Sequence, residues 1–509
     1  MAPQRSSMRT IRHYVDTRAR EQPDAPYLIA PETGRVLTYE ALQRQSRDLA
    51  RYLRGLGLAK GDKIALMLHN GYQTARLFIG TMYAGFVVAP LNLLSQKSQL
   101  AYVLDHSDAR AVFTSKELAP RVSQALAEVK REVKTIVIEP NAEEIFDRDA
   151  LPAVEPFDVT EDDDVLLMYT SGTTGKPKGC LHTHRSVCAG GEYTSAAHRL
   201  TAADRVLCAL PLYHINGQIV TAVAPLVHGG SVVMPHRFSV TDYWTLVDRH
   251  QVTWINVVPT IIAYLLNAPD PRESGLDISR VRFCRSASAP LPPEQHRAFE
   301  ARFGVSVIET FGMTETNAPC FTNPYEPQKR KIGSPGTAFG NEAKVIDIQT
   351  GRIQPPGVPG EIMVRGDNVM KCYYKDPETT AKTLEPDGWL HTGDIGYMDE
   401  DGFLFVTGRI KELIIKGGEN IAPREIDEAL LKHPAVLEAA AVGIPDEYYG
   451  QEIMACVVLK PGCEASADEL LEFSRAELGK YKTPKVIKFV NELPKGPSGK
   501  VQRLKLLEL

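Results

Sequence analysis

Nothing in this chain pairs its cysteines, crosses a bilayer or gathers charge of one sign. Its eight cysteines (Cys180, Cys188, Cys208, Cys284, Cys320, Cys372, Cys456 and Cys463) are scattered, with no C-x-x-C pair. That spacing excludes a disulfide frame or a thiolate zinc site and predicts reduced, mostly buried thiols. Lysine plus arginine number 58 and aspartate plus glutamate 63, a formal charge of −5 with no long basic run. Neither nucleic acid nor an anionic membrane is therefore an expected partner. No apolar run reaches membrane-spanning length, and the stretch 220–235 is broken by His228, Gly229 and Gly230. The first residues form no apolar signal region, and Leu507-Glu508-Leu509 is no peroxisomal signal, so the cytoplasm is the expected location. Repeats and low-complexity tracts are missing too.

What is present is the composition of a soluble globular protein, 43% hydrophobic and 24% charged over 509 residues, too long for one ordinary core. Residues 38–57 carry apolar side chains at helical spacing (Leu42, Leu49, Tyr52, Leu53) and end at Gly55 and Gly57. A strand-like Ile64–Leu68 follows, then a helix across 71–85 and the apolar run Val87–Leu91. Alternation of strand and helix continues through 111–114, 135–138, 206–210 and 231–234, which predicts an α/β fold of parallel sheets covered by helices. Residues 357–408 change to Gly-rich turns and short alternating strands, a small β subdomain. After Gly408-Arg409 the pattern restarts as a compact α+β unit, with helices over 423–433 and 467–478 and strands near 437–443, 452–459 and 486–490. The expected organisation is an amino-terminal region over 1–408, a hinge at 409–411 and a small carboxy-terminal domain over 412–509.

One segment, Met168-Tyr-Thr-Ser-Gly-Thr-Thr-Gly-Lys-Pro-Lys-Gly-Cys-Leu-His-Thr-His184, is built to hold phosphate. Gly172, Gly175 and Gly179 let the backbone approach a ligand, Thr170, Ser171, Thr173 and Thr174 supply hydroxyl donors, and Lys176 and Lys178 supply charge. It lacks the Walker spacing, and taken alone it also reads as a solvated turn. Five more motifs join it in order: Thr310-Phe-Gly-Met-Thr-Glu-Thr316, Gly388-Trp-Leu-His-Thr-Gly-Asp394, Gly408-Arg-Ile-Lys411, Lys416-Gly-Gly-Glu-Asn420, and Pro494-Lys-Gly-Pro-Ser-Gly-Lys-Val-Gln-Arg503. In this order and at these distances the set resembles the adenylate-forming superfamily of acyl-CoA synthetases, adenylation domains and luciferases, over nearly the whole chain.

The resemblance implies ATP, Mg²⁺ and coenzyme A as the nucleotide, metal and thiol, and a mobile carboxy-terminal domain. It implies that the 170–178 loop cradles the β- and γ-phosphates, that Thr314 contacts phosphate oxygen and that Glu315 holds Mg²⁺. Phe311 is implied to stack on adenine, Asp394 to accept from the ribose hydroxyls with Arg409 as its partner, and Lys411 to mark the hinge. Lys500 is the implied adenylation lysine, and Gly417-Gly418 the implied wall of the pantetheine channel. The lysine-bearing tail also resembles a motif modified by protein acetyltransferases, which makes an acetyltransferase and deacetylase acting on Lys500 candidate partners beside a homodimer.

The acid is read from two places. His214, in Pro211-Leu-Tyr-His-Ile-Asn-Gly-Gln218, matches the position near the acid carboxylate in relatives. Phe238-Ser239 stands where amino-acid-activating domains commonly show Phe-Asp, which lowers the amino-acid reading. Cys284-Arg-Ser-Ala-Ser-Ala-Pro290 resembles oxalate- and sulfoacetate-activating ligases, and Arg285 is suited to a second anionic end. Arg285 either lines the acyl pocket or turns into a structural ion pair. The expected substrate is a short acid with a second anionic group, sulfoacetate first, then oxalate or malonate. Medium-chain or aryl acids, and a stand-alone enzyme loading a carrier protein, are the alternatives.

Overall fold

The computed structural model describes residues 9–170, 177–495 and 501–509, and every count or absence below refers to these. Two large sheets carry most of the chain. The first runs in the order Thr337–Ala338, Ala318–Thr322, Val307–Met313, Phe283–Ser286, Trp254–Val257, Arg205–Cys208, Ser231–Val233, Pro26–Ala30, Arg35–Thr38. Its six central strands, from Val307–Met313 to Pro26–Ala30, are parallel, and both edges turn antiparallel. The second runs Cys372–Tyr373, Lys178–Thr183, Asp164–Thr170, Val87–Pro90, Lys63–Met67, Ala109–Ser115, Lys134–Ile138, parallel except at its first three strands.

That exception bears on the Gly/Thr loop. Asp164–Thr170 and Lys178–Thr183 are antiparallel neighbours, with Thr170 opposite Lys178. The Gly/Thr segment therefore connects antiparallel neighbours, where a parallel pair would need a crossover of a dozen or more residues.

The helix Tyr39–Gly55 follows its sequence pattern: the Thr38 side chain accepts from Ala41 N, and Leu42, Leu49 and Leu53 are buried along one face. Two other helices have no polar face. Every residue of Tyr72–Tyr83 is buried, and that helix contacts strands of both large sheets. His184–Ala197 is nearly as enclosed, against Lys178–Thr183 of one sheet and Ala318–Thr322 of the other. Such helices form the layer between the sheets.

A third sheet, Glu342–Ile346, Gly360–Arg365, Leu390–Met398 and Leu404–Arg409, is wholly antiparallel. A fourth is built from Ile414–Lys416, Glu419–Ile421, Val436–Asp446, Gly450–Leu459 and Val486–Phe489. It packs on the helices Pro423–Leu431 and Ala467–Lys482 around its own core of Ile414, Ile426, Leu430, Ile453, Val457 and Leu470. Six of the eight cysteines are buried, Cys372 is half-buried and Cys463 exposed, all as free thiols. No helix is long and apolar enough to cross a membrane.

The layers meet most tightly at Gly190. A Cβ there would lie 2.2 Å from Asn317 O and 2.8 Å from Ile219 Cγ2. Gly190→Ala must push back a backbone oxygen and is expected to cost about 2 kcal/mol, as overpacking does. A lower midpoint in urea at unchanged m value is the measurement that checks it.

Candidate active site

The chemistry-bearing residues gather at the carboxyl ends of the parallel strands of the first sheet, where ligands bind in open α/β sheets. The chain leaves Arg205–Cys208 into the Pro211–Ile215 turn, Phe283–Ser286 into Ala287-Ser288, and Val307–Met313 into the short 3₁₀ turn Thr314–Thr316. Three residues other than glycine hold positive φ at these exits: Ser288 at 73°, Asn317 at 47° and Ala318 at 84°. Strain of this kind persists only where the surroundings over-determine it, and it clusters at ligand sites.

At the third exit, Thr316 Oγ1 accepts from Met313 N at 3.0 Å, which closes the turn carrying Thr314 and Glu315. Glu315 is nearly buried; its Oε1 accepts from Tyr373 OH at 2.7 Å. Burial first, and then the Glu315 charge, push the Tyr373 phenol well above its ordinary range, so it stays a donor. The Lys178 ammonium lies 5.1 Å from the centroid of the same ring. Tyr373 thus brings Lys178, at the start of its strand, and Glu315 together. Behind them, Asn317 Nδ2 donates to His182 Nδ1 at 2.6 Å, and burial pulls that imidazole down to about 3, so it is neutral and able to accept. Nothing in the sequence marked Tyr373 or Asn317, because lone polar residues in no motif gain meaning only from register.

Asp394 and Arg409 face each other across the third sheet as a register pair. Arg409 Nε donates to Asp394 Oδ1 at 2.7 Å, with the carboxylate buried and the guanidinium partly exposed. The Asp394 charge raises the Arg409 pKa, against burial, and Glu315 adds to the effect from farther away. Arg409 therefore partners Asp394 on a neighbouring strand, within one sheet. Phe311 is half-buried, its ring edge-on to Phe321 with centroids 5.9 Å apart.

The acid end is organised by a π-helix, Asn216–Val223. Gly217 permits its start: a Cβ there would lie 2.6 Å from Pro211 O. His214 sits in the preceding turn, its N–H donating to Pro211 O at 3.1 Å and its ring 4.9 Å from that of Tyr213. Arg285 is only 2% exposed at the middle of the sheet. Its Nη1 donates to Asn216 Oδ1 at 2.8 Å and to Asn256 Oδ1 at 2.9 Å. Asn256 Nδ2 donates to Asn216 Oδ1 at 3.1 Å, and Asn216 Nδ2 to Ser288 Oγ at 3.1 Å. Among the described residues no carboxylate is paired with Arg285, and its buried Nε has no hydrogen-bond partner. Desolvation alone pulls the guanidinium down to about 9. The structural ion pair that the sequence left open for Arg285 is absent among these residues.

Gly417 and Gly418 form an exposed turn at φ 56° and 86°, and a Cβ on Gly418 would meet nothing within 4 Å. Beneath it, Lys416 Nζ pairs with Glu452 Oε2 at 2.9 Å. Lys411 is exposed in the 3₁₀ turn Ile410–Glu412. Ser171, Gly172, Thr173, Thr174, Gly175, Lys176 and Lys500 lie outside the described residues. Among the described residues no cluster of His, Cys, Asp and Glu could hold a metal by itself. A cation that arrives with phosphate oxygens and water needs less, and Glu315, whose Oε2 has no hydrogen bond among the described residues, fits that single-carboxylate role.

Residues 15–374 match the family described as AMP-binding enzyme, and residues 425–500 match the AMP-binding enzyme C-terminal domain. The chain is 54% identical over 503 residues to a sulfoacetate–CoA ligase of Cupriavidus necator, covering 98% of this chain and 97% of that one. It is 35% identical to an oxalate–CoA ligase of Arabidopsis thaliana over 90% of each. The crystal structure of ATP-bound MatB from Rhodopseudomonas palustris superimposes with a TM-score of 0.89 at 31% identity, covering 97% of this chain and 98% of that one. With its strand-end site, its family match over both regions and its full-length likeness to acid–CoA ligases, this chain belongs to the AMP-binding enzyme family and is an ATP-dependent acid–CoA ligase that works through an acyl-adenylate.

Proposed function

We propose that the acid is short and carries a second anionic group, sulfoacetate first and oxalate or malonate next. The observation that carries this reading is the buried Arg285 guanidinium without a paired carboxylate among the described residues. A charge taken out of water needs a counter-charge or a dense set of acceptors. Two neutral amide oxygens on one nitrogen are a partial answer, and a sulfonate or carboxylate from the substrate completes it bidentately. The names of the sulfoacetate and oxalate relatives support the same class.

In the first step a carboxylate oxygen of the acid attacks the α-phosphorus of ATP, the bond to the bridging oxygen breaks, and pyrophosphate leaves. In the second the sulfur of coenzyme A attacks the acyl carbon, AMP leaves with the carbon–oxygen bond pair, and the thiol proton goes to solvent or a base. We assign the 170–178 loop to the β- and γ-phosphates, Thr314 to phosphate oxygen, Phe311 to adenine, and Asp394 with Arg409 to the ribose. To His214 we assign the acid carboxylate and to Lys500 the forming bridge, where fixed positive charge acts without reorganisation. Mg²⁺ bound with the nucleotide would be held by Glu315 and would neutralise phosphate charge. Tyr373 orients that carboxylate by its hydrogen bond.

The small domain, taken as 412–509 beyond a 409–411 hinge, would rotate between the steps so that Gly417-Gly418 replaces the Lys500 tail. The exposure of that turn fits a segment waiting to dock. A cytoplasmic location, a homodimer, and an acetyltransferase with its deacetylase acting on Lys500 belong to the same proposal; acetylation would remove the charge that adenylation uses.

Release of AMP and pyrophosphate across sulfoacetate, oxalate, malonate, acetate, octanoate and benzoate tests the substrate. Selective turnover of the short dianions is expected, lost in Arg285→Met while the apo protein keeps its Tm. Preference for octanoate or benzoate would keep the ligase and discard the Arg285 reading. Lys500→Ala should lose ATP–pyrophosphate exchange yet still form thioester from a supplied acyl-AMP, and wild-type exchange would refute it. Gly418→Trp should spare exchange and depress thioester formation, whereas equal loss of both would remove the turn from the second step.

A further inference from the structure

Arg285 offers more than a charge; the way it is held says what else decides the substrate. The residues nearest its guanidinium are amides where carboxylates could stand. Asn256 lies on the strand next to Arg285, in direct register with it. Asn216 reaches down from the first turn of the π-helix. Both present Oδ1 to the same nitrogen, Nη1, at 2.9 and 2.8 Å. Both amides are oriented by further bonds: Asn256 Nδ2 is spent on Asn216 Oδ1, and Asn216 Nδ2 on Ser288 Oγ, whose residue holds a φ of 73°. With Nη1 doubly engaged, the buried Nε has no hydrogen-bond partner among the described residues, and Nε and Nη2 together form the opposite edge. Nε is buried, so water does not satisfy it. That edge is the one that receives a carboxylate or sulfonate through two parallel N–H bonds.

An amide and a carboxylate at position 256 or 216 would fill the same space and accept the same bond from Arg285. They differ in charge and in the Nδ2 donor, which an aspartate gives up: the bond to Asn216 Oδ1 at position 256, the bond to Ser288 Oγ at position 216. An aspartate at either place would neutralise Arg285 from within and repel a second anionic group on the acid. We infer that Asn216 and Asn256 are specificity-determining residues: by holding Arg285 through neutral oxygens they fix its free edge and leave its charge to be matched by the substrate. Arg285 touches the acid, and the two asparagines act through it as positioning residues. The inference rests on the dianion reading above, and it goes further by predicting that one isosteric change converts the enzyme to acids with no second charge.

The test uses the full chain and Asn256→Asp, with Asn216→Asp as a second route to the same nitrogen. ATP–pyrophosphate exchange is measured with sulfoacetate and with propionate, as KM and kcat separately, beside thermal unfolding of the apo protein. For Asn256→Asp the sulfoacetate KM should rise roughly 10- to 100-fold, the range of a lost charge-assisted contact. The propionate KM should fall or hold, so that the ratio of kcat/KM values moves toward propionate. Asn256→Ala, which removes the acceptor and the donor together and adds no charge, should keep the preference for sulfoacetate at reduced affinity. An unchanged sulfoacetate-to-propionate ratio in a folded Asn256→Asp protein would overturn the inference. Failure of both aspartate variants to fold would also overturn it, because a carboxylate beside an uncompensated guanidinium should stabilise. Wild-type preference for uncharged acids, or dianion turnover surviving in Arg285→Met, would strike the dianion reading itself and is read from different proteins.

Discussion

The hydrogen bond from Tyr373 to Glu315 joins a two-residue strand on the edge of one sheet to a strand exit of another. The grouping of Lys178, Tyr373 and Glu315 exists only where those sheets meet. The strands flanking the Gly/Thr segment belong to the second sheet, and the Thr314–Thr316 turn follows a strand of the first. Neither sheet holds both a lysine foot and a carboxylate. The buried layer of helices sets the distance between them, and Gly190 lets that layer close onto the Asn317 backbone. The Tyr373 ring centroid lies 5.1 Å from the Lys178 ammonium, and its hydroxyl donates to the Glu315 carboxylate, so one side chain contacts both charged groups.

The acid half follows a different rule. Most buried charges in this fold are matched internally. Asp394 has Arg409, Lys416 has Glu452, and Asp427 has Arg503. Arg76, also fully buried, has acceptors in Gln73 and in the Gln45 carbonyl, with Glu144 and Asp48 contributing to its electrostatics. Arg285 alone among these has desolvation as the only cause of its lowered pKa. A fold optimised for stability would replace it with an apolar residue or give it a carboxylate. Keeping it costs folding energy, and such costs are retained at sites where binding recovers them.

How much of this was legible in the sequence depended on whether a residue's meaning was local. The Tyr39–Gly55 helix was readable because Thr38 caps it and its leucines repeat on one face. The Gly/Thr loop, Thr314-Glu315 and Asp394 were readable as runs, each with several functional residues within a few positions. Tyr72–Tyr83 offered a helical length but no polar face, since both of its sides are covered. The antiparallel pairing of Asp164–Thr170 with Lys178–Thr183 was hidden because apolar strands read alike whether parallel or antiparallel. The π-helix at Asn216–Val223 has no sequence signature, and without it Asn216 is one more polar residue after a histidine. Arg285 stood out as a charge in a strand pattern, yet its partners come from a strand some thirty positions earlier and a helix farther still. Register and crossover order decide such contacts, and neither is written in a local window.

The two halves of the site therefore place their energy differently. Around Glu315 the hydrogen bond from Tyr373 orients the carboxylate before any ligand arrives. Around Arg285 the charge is held by neutral amides, and on the proposed reading its balance comes with the substrate. An unbalanced field discriminates because the wrong acid, lacking the second charge, leaves a buried donor edge unsatisfied. Discrimination of that kind is stronger than shape can give for molecules of two or three carbons, where one methylene is worth only a modest factor. For a very small acid, charge is the feature with enough energy to read, and a neutral cradle around a buried guanidinium is a way to read it.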